Sequence, residues 1–228
     1  MTAPPPRHAL VTGASSGIGL AIAQRLLREG WAVTGLSRRP PDLVDPRFTH
    51  RAFDLLDGDI ASLGDLRPDA LVHAAGVLRV GRLGELDHAA GAAMWHLHVD
   101  VATRLADALA PHLPDGGRIV LIGSRVANGA PGRSQYAATK AALLGLARSW
   151  GAELAPRGIT VNVVAPGATD TPMLHDPARA GVAPRRPPIG RFVQPEEIAA
   201  LTAFLLSPEA GAITGQQIVV CGGASLST

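Results

Sequence analysis

Tyr136 and Lys140 stand four residues apart in the run SQYAATKAA, and Ser124 closes the run RIVLIGS twelve residues before the tyrosine. On a helix, positions i and i+4 share a face, so the phenol and the ammonium lie one turn apart. A tyrosine of ordinary pKa, about 10, is a poor acid–base group at neutral pH. A neighbouring ammonium in a cleft favours the phenolate and lowers that pKa. Ser124 falls where a parallel strand ends, the place at which such sheets present groups to a ligand. Its hydroxyl can hydrogen-bond a carbonyl oxygen as negative charge develops there. Tyr136 is the single tyrosine in the chain. Y-x-x-x-K pairs arise by chance on many helices, so the chemistry depends on what surrounds them.

The surroundings begin with VTGASSGIG at 11–19, three glycines (Gly13, Gly17, Gly19) after a short apolar run and before a helical pattern. Alone, this is either a tight strand–helix turn or a seat for phosphates. Amides at a helix N-terminus face a pyrophosphate well, and glycine lets backbone and phosphate approach. The spacing T-G-x-x-x-G-x-G departs from G-x-G-x-x-G. The second strand ends about eighteen residues after Gly19, in Ser37-Arg38-Arg39. NAD sites place a carboxylate here for the ribose 2′-hydroxyl. A hydroxyl and guanidiniums instead favour a 2′-phosphate, so the expected cofactor is NADP(H), with Arg38 the better candidate of the two arginines.

These groups need strands and helices to hold them. Apolar runs at 8–12, 31–37, 51–55, 70–76, 117–124, 158–167 and 216–223 read as strands, and 18–30, 91–113, 134–155 and 195–207 as helices. Ile18, Ile22 and Leu26 repeat at four-residue spacing, and Gly30 marks a helix end. Strands with little polar alternation, separated by helices, predict one α/β domain over 1–228. Its core is a Rossmann-like doubly wound parallel sheet of about seven strands, with helices on both faces. The crossovers 38–50 and 56–69 are lean: three prolines oppose a long helix in the first, and the second has room for about two turns.

T-G-x-x-x-G-x-G at 12–19, Asp54-Leu55, HAAG at 73–76, Ser124, Tyr136-x-x-x-Lys140, Asn162 and PGATDT at 166–171 together resemble the short-chain dehydrogenase/reductase family. The similarity runs from about residue 8 to ITGQQIVVCGG at 213–223. The resemblance implies that Tyr136 is the proton donor to a substrate carbonyl oxygen, that Lys140 lowers its pKa and binds the nicotinamide ribose, and that Ser124 orients the carbonyl. It further implies that Gly13, Ser15, Ser16, Gly17, Ile18 and Gly19 hold the adenosine and pyrophosphate side, with Ser37, Arg38 and Arg39 at the 2′-position. Asp54 with Leu55 then stands at the adenine, Ala75 and Gly76 along the cofactor, and Pro166, Gly167, Thr169 and Thr171 at the nicotinamide end. The chain departs from the family pattern at three points. His73 replaces the first Asn of NNAG. His98 stands at the helix Asn that helps hold a proton-relay water, and is either a fourth catalytic residue or a packed core histidine. Cys221 stands where an Asp commonly precedes the last Gly-Gly.

Twenty-one Lys and Arg against nineteen Asp and Glu, with no dense basic block, leave nucleic-acid binding unsupported. A single cysteine excludes an internal disulfide and a multi-thiolate metal site, and no metal is expected. No signal-peptide core and no apolar run of about eighteen residues occur, so the expectation is a cytoplasmic protein without a membrane span. The Pro-rich start, Pro4 to Pro6, reads as a tail, and 172–191 as a lid over the nicotinamide end. Leu78, Val126 and Met173 are candidates for an apolar pocket wall. Arg185, Arg186 and Arg191 suit an acidic substrate or thioester, or are solvated loop charges. Apolar surface on more than one face of 91–113 and 134–155 predicts a homo-oligomer, dimer or tetramer. The expected function is reduction of a ketone or 3-oxoacyl thioester. The alternatives are alcohol oxidation with NAD(P)+ and nucleotide sensing without turnover.

Overall fold

The computed structural model describes residues 6–177 and 184–226. Pro4 and Pro5 of the predicted tail, and 178–183 of the predicted lid, lie outside the described residues. Seven parallel strands form one sheet: β1 (His8–Thr12), β2 (Ala32–Ser37), β3 (Phe48–Ala52), β4 (Ala70–His73), β5 (Arg118–Ile122), β6 (Thr160–Pro166) and β7 (Gln217–Val220), in the order β3-β2-β1-β4-β5-β6-β7. The chain moves outward from β1 to β3, then returns to β4 on the other side of β1. That reversal opens a crevice beyond the strand ends of β1 and β4, the usual ligand position in such sheets.

Helices α1 (Gly17–Arg28) and α5 (Pro195–Leu206) cover one face, where Ile22, Leu26, Ile198 and Leu205 pack on Val11, Val72 and Val164. Helices α2 (His88–Trp95), α3 (Val101–Leu109) and α4 (Ser134–Leu154) lie on the other side, where Leu105, Leu109, Leu143 and Ala147 meet Leu10, Leu71, Leu121 and Val163. Strand residues alternate between these two cores, which is why the inner strands carry almost no polar residues. Glu29 caps α1, and Gly30 follows with φ +88°, the left-handed stop its position predicts. At α5, the Glu197 carboxylate accepts the Gln194 amide (2.8 Å), and Pro195 fills the first helical position.

Four predicted stretches differ, and the last strand, predicted over 216–223, ends already at Val220. The third strand is 48–52, not 51–55. Phe48 packs beneath Gly35 and anchors the strand three residues earlier, and the Asp54 carboxylate ends it by turning back to the Leu56 amide (3.0 Å). Phe53 and Leu55, which made that stretch look strand-like, instead fill the core on the α3 and α4 side. The crossover 56–69 holds a single 3₁₀ turn, Ile60–Leu63, capped by Asp59. The predicted helix 91–113 is broken in its middle by a π turn, His96–Asp100, between α2 and α3. Such wider turns are uncommon and concentrate at functional sites. The fourth strand stops at His73 rather than 76, because Ala74 and Ala75 turn their amides onto the Thr12 hydroxyl (3.1 and 3.0 Å).

Candidate active site

The turn after β1 is built for close backbone approach. Gly13 has φ +69°, and a Cβ on it would lie 2.9 Å from the backbone of Ala75. Gly17 has φ +54° and faces Thr171 and Pro172, and a Cβ at Gly19 would collide with the Gly13 carbonyl. Ser15 and Ser16 complete the loop, with Ser16 exposed, and Ile18 packs at the edge of the α1 core. No side chain caps α1, and its first turn carries no acid. Its free amides and dipole therefore face the crevice without a protein anion in competition. A pyrophosphate fits this cradle.

At the end of β2, Ser37 is buried and its hydroxyl donates to the Arg39 carbonyl (2.8 Å), with His50 Nε2 at 3.2 Å. Ser37 therefore shapes the turn before it could serve a ligand. Arg38 is exposed and lines a cleft of about 520 Å³ together with Gly76, Val77, Leu78, Arg79, Pro172 and Met173. Arg39 is exposed and does not line this cleft. Asp54 and Leu55 follow β3 in the neighbouring turn, Leu55 buried. Of the two arginines, the geometry aims Arg38 into the cleft.

The candidate acid–base groups gather where β4, β5, α4 and the π turn meet. Lys140 is buried, and its Nζ donates to the Ile122 carbonyl at the end of β5 (2.8 Å), two residues before Ser124. Its Nζ also lies 5.9 Å from the centroid of the Tyr136 ring. Burial pulls the lysine down to about 7, so its proton exchanges near neutral pH. Ser124 is buried at the start of the 3₁₀ turn Arg125–Asn128 and accepts the Val126 amide (3.2 Å), leaving its hydroxyl hydrogen to donate elsewhere. His98, from the π turn, is fully buried and meets the Tyr136 ring edge to face, with centroids 5.6 Å apart. Gly76 fits between them: a Cβ there would lie 3.2 Å from His98 Nε2 and 3.6 Å from Lys140 Nζ.

His73 does what an amide at its position would have to do. The Thr12 hydroxyl meets His73 Nδ1 (3.0 Å), and Nε2 meets the Leu97 carbonyl (3.1 Å), which can only accept. His73 thus ties β1 and β4 to the π turn, and burial holds it at a pKa of about 3, with Lys140 adding to the effect. At the far end of the crevice Gly167, after Pro166, packs on Cys221 with no room for a Cβ, and Thr169 and Thr171 brace the next turn through the Gly167 and Thr169 carbonyls. Asn162 is fully buried and clamps the approach to β7, donating to Ile213 O (2.6 Å) and accepting from the Gln216 amide.

Of the candidates for an apolar wall, Leu78 and Met173 line the same cleft as Arg38, whereas Val126 does not. Arg191 is not a free loop charge: it holds Glu197 through both guanidinium nitrogens (2.7 and 2.9 Å) at the start of α5. Arg185 and Arg186 are exposed. Two participants escaped the sequence reading. Arg79 lines the cleft opposite the 172–177 segment, with nothing in its spacing to mark it. Thr139 connects His98 to α4, and its place three residues after Tyr136 on the same helical face could have revealed it. No described helix is long and apolar enough to cross a membrane.

A family model described as enoyl-(acyl carrier protein) reductase matches residues 13–225. The 3-oxoacyl-[acyl-carrier-protein] reductase FabG of Salmonella typhimurium is 36% identical over 239 residues, covering 94% of this chain and 96% of that protein. A short-chain dehydrogenase family protein from Francisella tularensis superposes with a TM-score of 0.90 at 27% identity, over 97% of this chain and 100% of that one. A blue fluorescent protein from a metagenomic library, solved in complex with NADPH, superposes with a TM-score of 0.85 at 30% identity, over 96% and 98% of the two chains. With its seven parallel strands, glycine cradle and Tyr136–Lys140 face, the chain belongs to the short-chain dehydrogenase/reductase family of oxidoreductases.

Proposed function

We propose that the protein is an NADPH-dependent carbonyl reductase acting on a ketone or a 3-oxoacyl thioester. The observation that carries this reading is that Lys140 stands beside the Tyr136 ring and donates to the end of β5, two residues before Ser124. NADPH, when bound, supplies the hydride. Ser124 gives a hydrogen bond to the carbonyl oxygen and aligns it with Tyr136. Tyr136 passes its phenolic proton to that oxygen as charge builds there. Lys140 stands beside the phenolate left behind, and burial holds its pKa near 7, where it can exchange that proton with its surroundings. Arg38 faces the cleft where a 2′-phosphate belongs and favours it over a bare hydroxyl through charge-assisted hydrogen bonds.

Leu78 and Met173 give the same cleft an apolar wall, and Arg79 adds a second guanidinium to it. Binding as a homo-oligomer through α3 and α4 is part of the same reading: α4 buries Leu143 and Ala147 and leaves Ala141, Gly145 and Ala152 exposed. The test is a fluorescence titration with NADPH and NADH, followed by a panel of ketone, 3-oxoacyl and enoyl thioesters. Tighter NADPH binding with turnover of a carbonyl compound is expected. Turnover of the enoyl thioester alone, or a preference for NADH, overturns the proposal.

A further inference from the structure

Behind Tyr136 runs a chain of three hydrogen bonds whose directions are forced. The Val77 amide meets His98 Nε2 (3.0 Å), His98 Nδ1 meets the Thr139 hydroxyl (2.8 Å), and that hydroxyl meets the Tyr136 carbonyl (2.8 Å). An amide only donates and a carbonyl only accepts. Nε2 must therefore be bare and Nδ1 must carry the hydrogen. Thr139 receives that hydrogen and gives its own to Tyr136. A second proton on His98 would face the Val77 N–H, donor against donor.

The groups around the imidazole agree with this assignment. The Lys140 ammonium and His73 both oppose a charge on His98, and burial opposes it more strongly still. The Tyr136 ring, packed edge to face, and Gly76 also lie against the imidazole. An Asn side chain at residue 98 would be shorter and without a ring, so it could not provide both the edge contact on Tyr136 and this reach to Thr139.

We propose that His98 and Thr139 form a positioning pair for Tyr136, in which His98, held in one tautomer, bears edge-on upon the phenol while Thr139 ties it to the first turn of α4. Neither residue gives a proton to substrate. The proposal rests on the reading of Tyr136 as the proton donor, but its first test needs no turnover. Because Tyr136 is the chain's single tyrosine, tyrosine labelled with carbon-13 at Cζ yields one signal from the whole protein. Thr139→Val, which keeps the shape and removes the hydroxyl, is expected to move that signal and its titration midpoint, and Thr139→Ser to return both to wild type. Histidine-selective nitrogen-15 labelling reads the tautomer, with His98 assigned by the signal lost in His98→Asn. Protonated Nδ1 and bare Nε2, unchanged from about pH 5 to 9 across the ordinary histidine range, is the expected result.

In the assay, Thr139→Val should lower kcat by about ten- to a hundredfold through misplacement of the phenol, with NADPH affinity unchanged and activity rescued by Thr139→Ser. A His98 that titrates in that window or protonates Nε2, or a tyrosine signal identical in Thr139→Val and wild type, overturns the proposal. Expected spectra without turnover of any substrate leave the pair standing and count against the reductase reading instead.

Discussion

Acid should destabilise this protein through its buried histidines, and replacing His73 by Asn should remove a measurable part of that sensitivity. His73 has no exposed surface and is held at about 3 by burial and by Lys140, against an ordinary value near 6.5. Below pH 6.5 the unfolded chain binds a proton at this residue that the folded chain refuses. Stability contributed by the neutral ring is therefore present above 6.5 and falls as the pH drops towards the folded value. The slope is about 1.4 kcal/mol per pH unit for one such group, so lowering the pH from 7 to 5 costs about 2 kcal/mol. His98, pushed down for the same reasons, adds a similar amount. Lys140, with a folded value of about 7, completes its protonation at the top of this window, but it does so in wild type and variant alike and cancels between them. Glu197, held at about 2, begins to matter only below the ordinary glutamate range. His8, lowered by partial burial, is the same in wild type and variant and cancels. Urea unfolding at pH 7 and pH 5, at one ionic strength and protein concentration, measures the two losses. Wild type should lose about 4 kcal/mol from these two histidines and His73→Asn about half of that. Equal losses in the two proteins would show that His73 is not held neutral, and the assignment of its bonds to Thr12 and Leu97 would fail with it.

Other perturbations address separate parts of the molecule. Arg38→Asp should weaken NADPH binding by about ten- to a hundredfold, the worth of a hydrogen bond to a charged group, and swing preference to NADH in the same titration. Gly13→Ala forces φ +69° on a residue with a side chain, at a cost of about 1–3 kcal/mol, and pushes a Cβ against Ala75. Both its melting temperature and its nucleotide affinity should fall. Asn162→Ala leaves the Ile213 carbonyl and the Gln216 amide without their partner in a buried setting, and urea unfolding should show a loss of about 2–4 kcal/mol.

The parts of this fold that could be read from the sequence are those written in local chemistry. Strands buried on both faces announce themselves by apolar runs, and β1, β2, β5 and β6 lie within a residue or two of their predicted bounds. The glycine cradle and the Tyr136–Lys140 spacing are equally local. What escaped depends on tertiary contact. Edge strand β3 is half exposed, so its pattern is weak, and the run at 51–55 drew the prediction three residues along the chain. The π turn at 96–100 leaves no mark on periodicity; its Leu97 carbonyl is taken by His73, a residue from a different strand. Arg191 looked available because its partner Glu197 lies six residues away, at the start of the next helix. Thr139 acquires its role only once the π turn brings His98 against α4.

In the proposed reaction Tyr136 supplies the proton, while the cofactor site stands independently of it. The most direct measurement is single-turnover oxidation of bound NADPH by a 3-oxoacyl thioester, comparing wild type with Tyr136→Phe, alongside NADPH affinity for both. A rate loss of about a hundred- to ten-thousandfold is expected, the usual contribution of a positioned general acid, with NADPH affinity within a factor of about two, since the phenol proton contributes no binding energy. A variant that binds NADPH normally and transfers hydride at the wild-type rate would show that Tyr136 is not the proton donor.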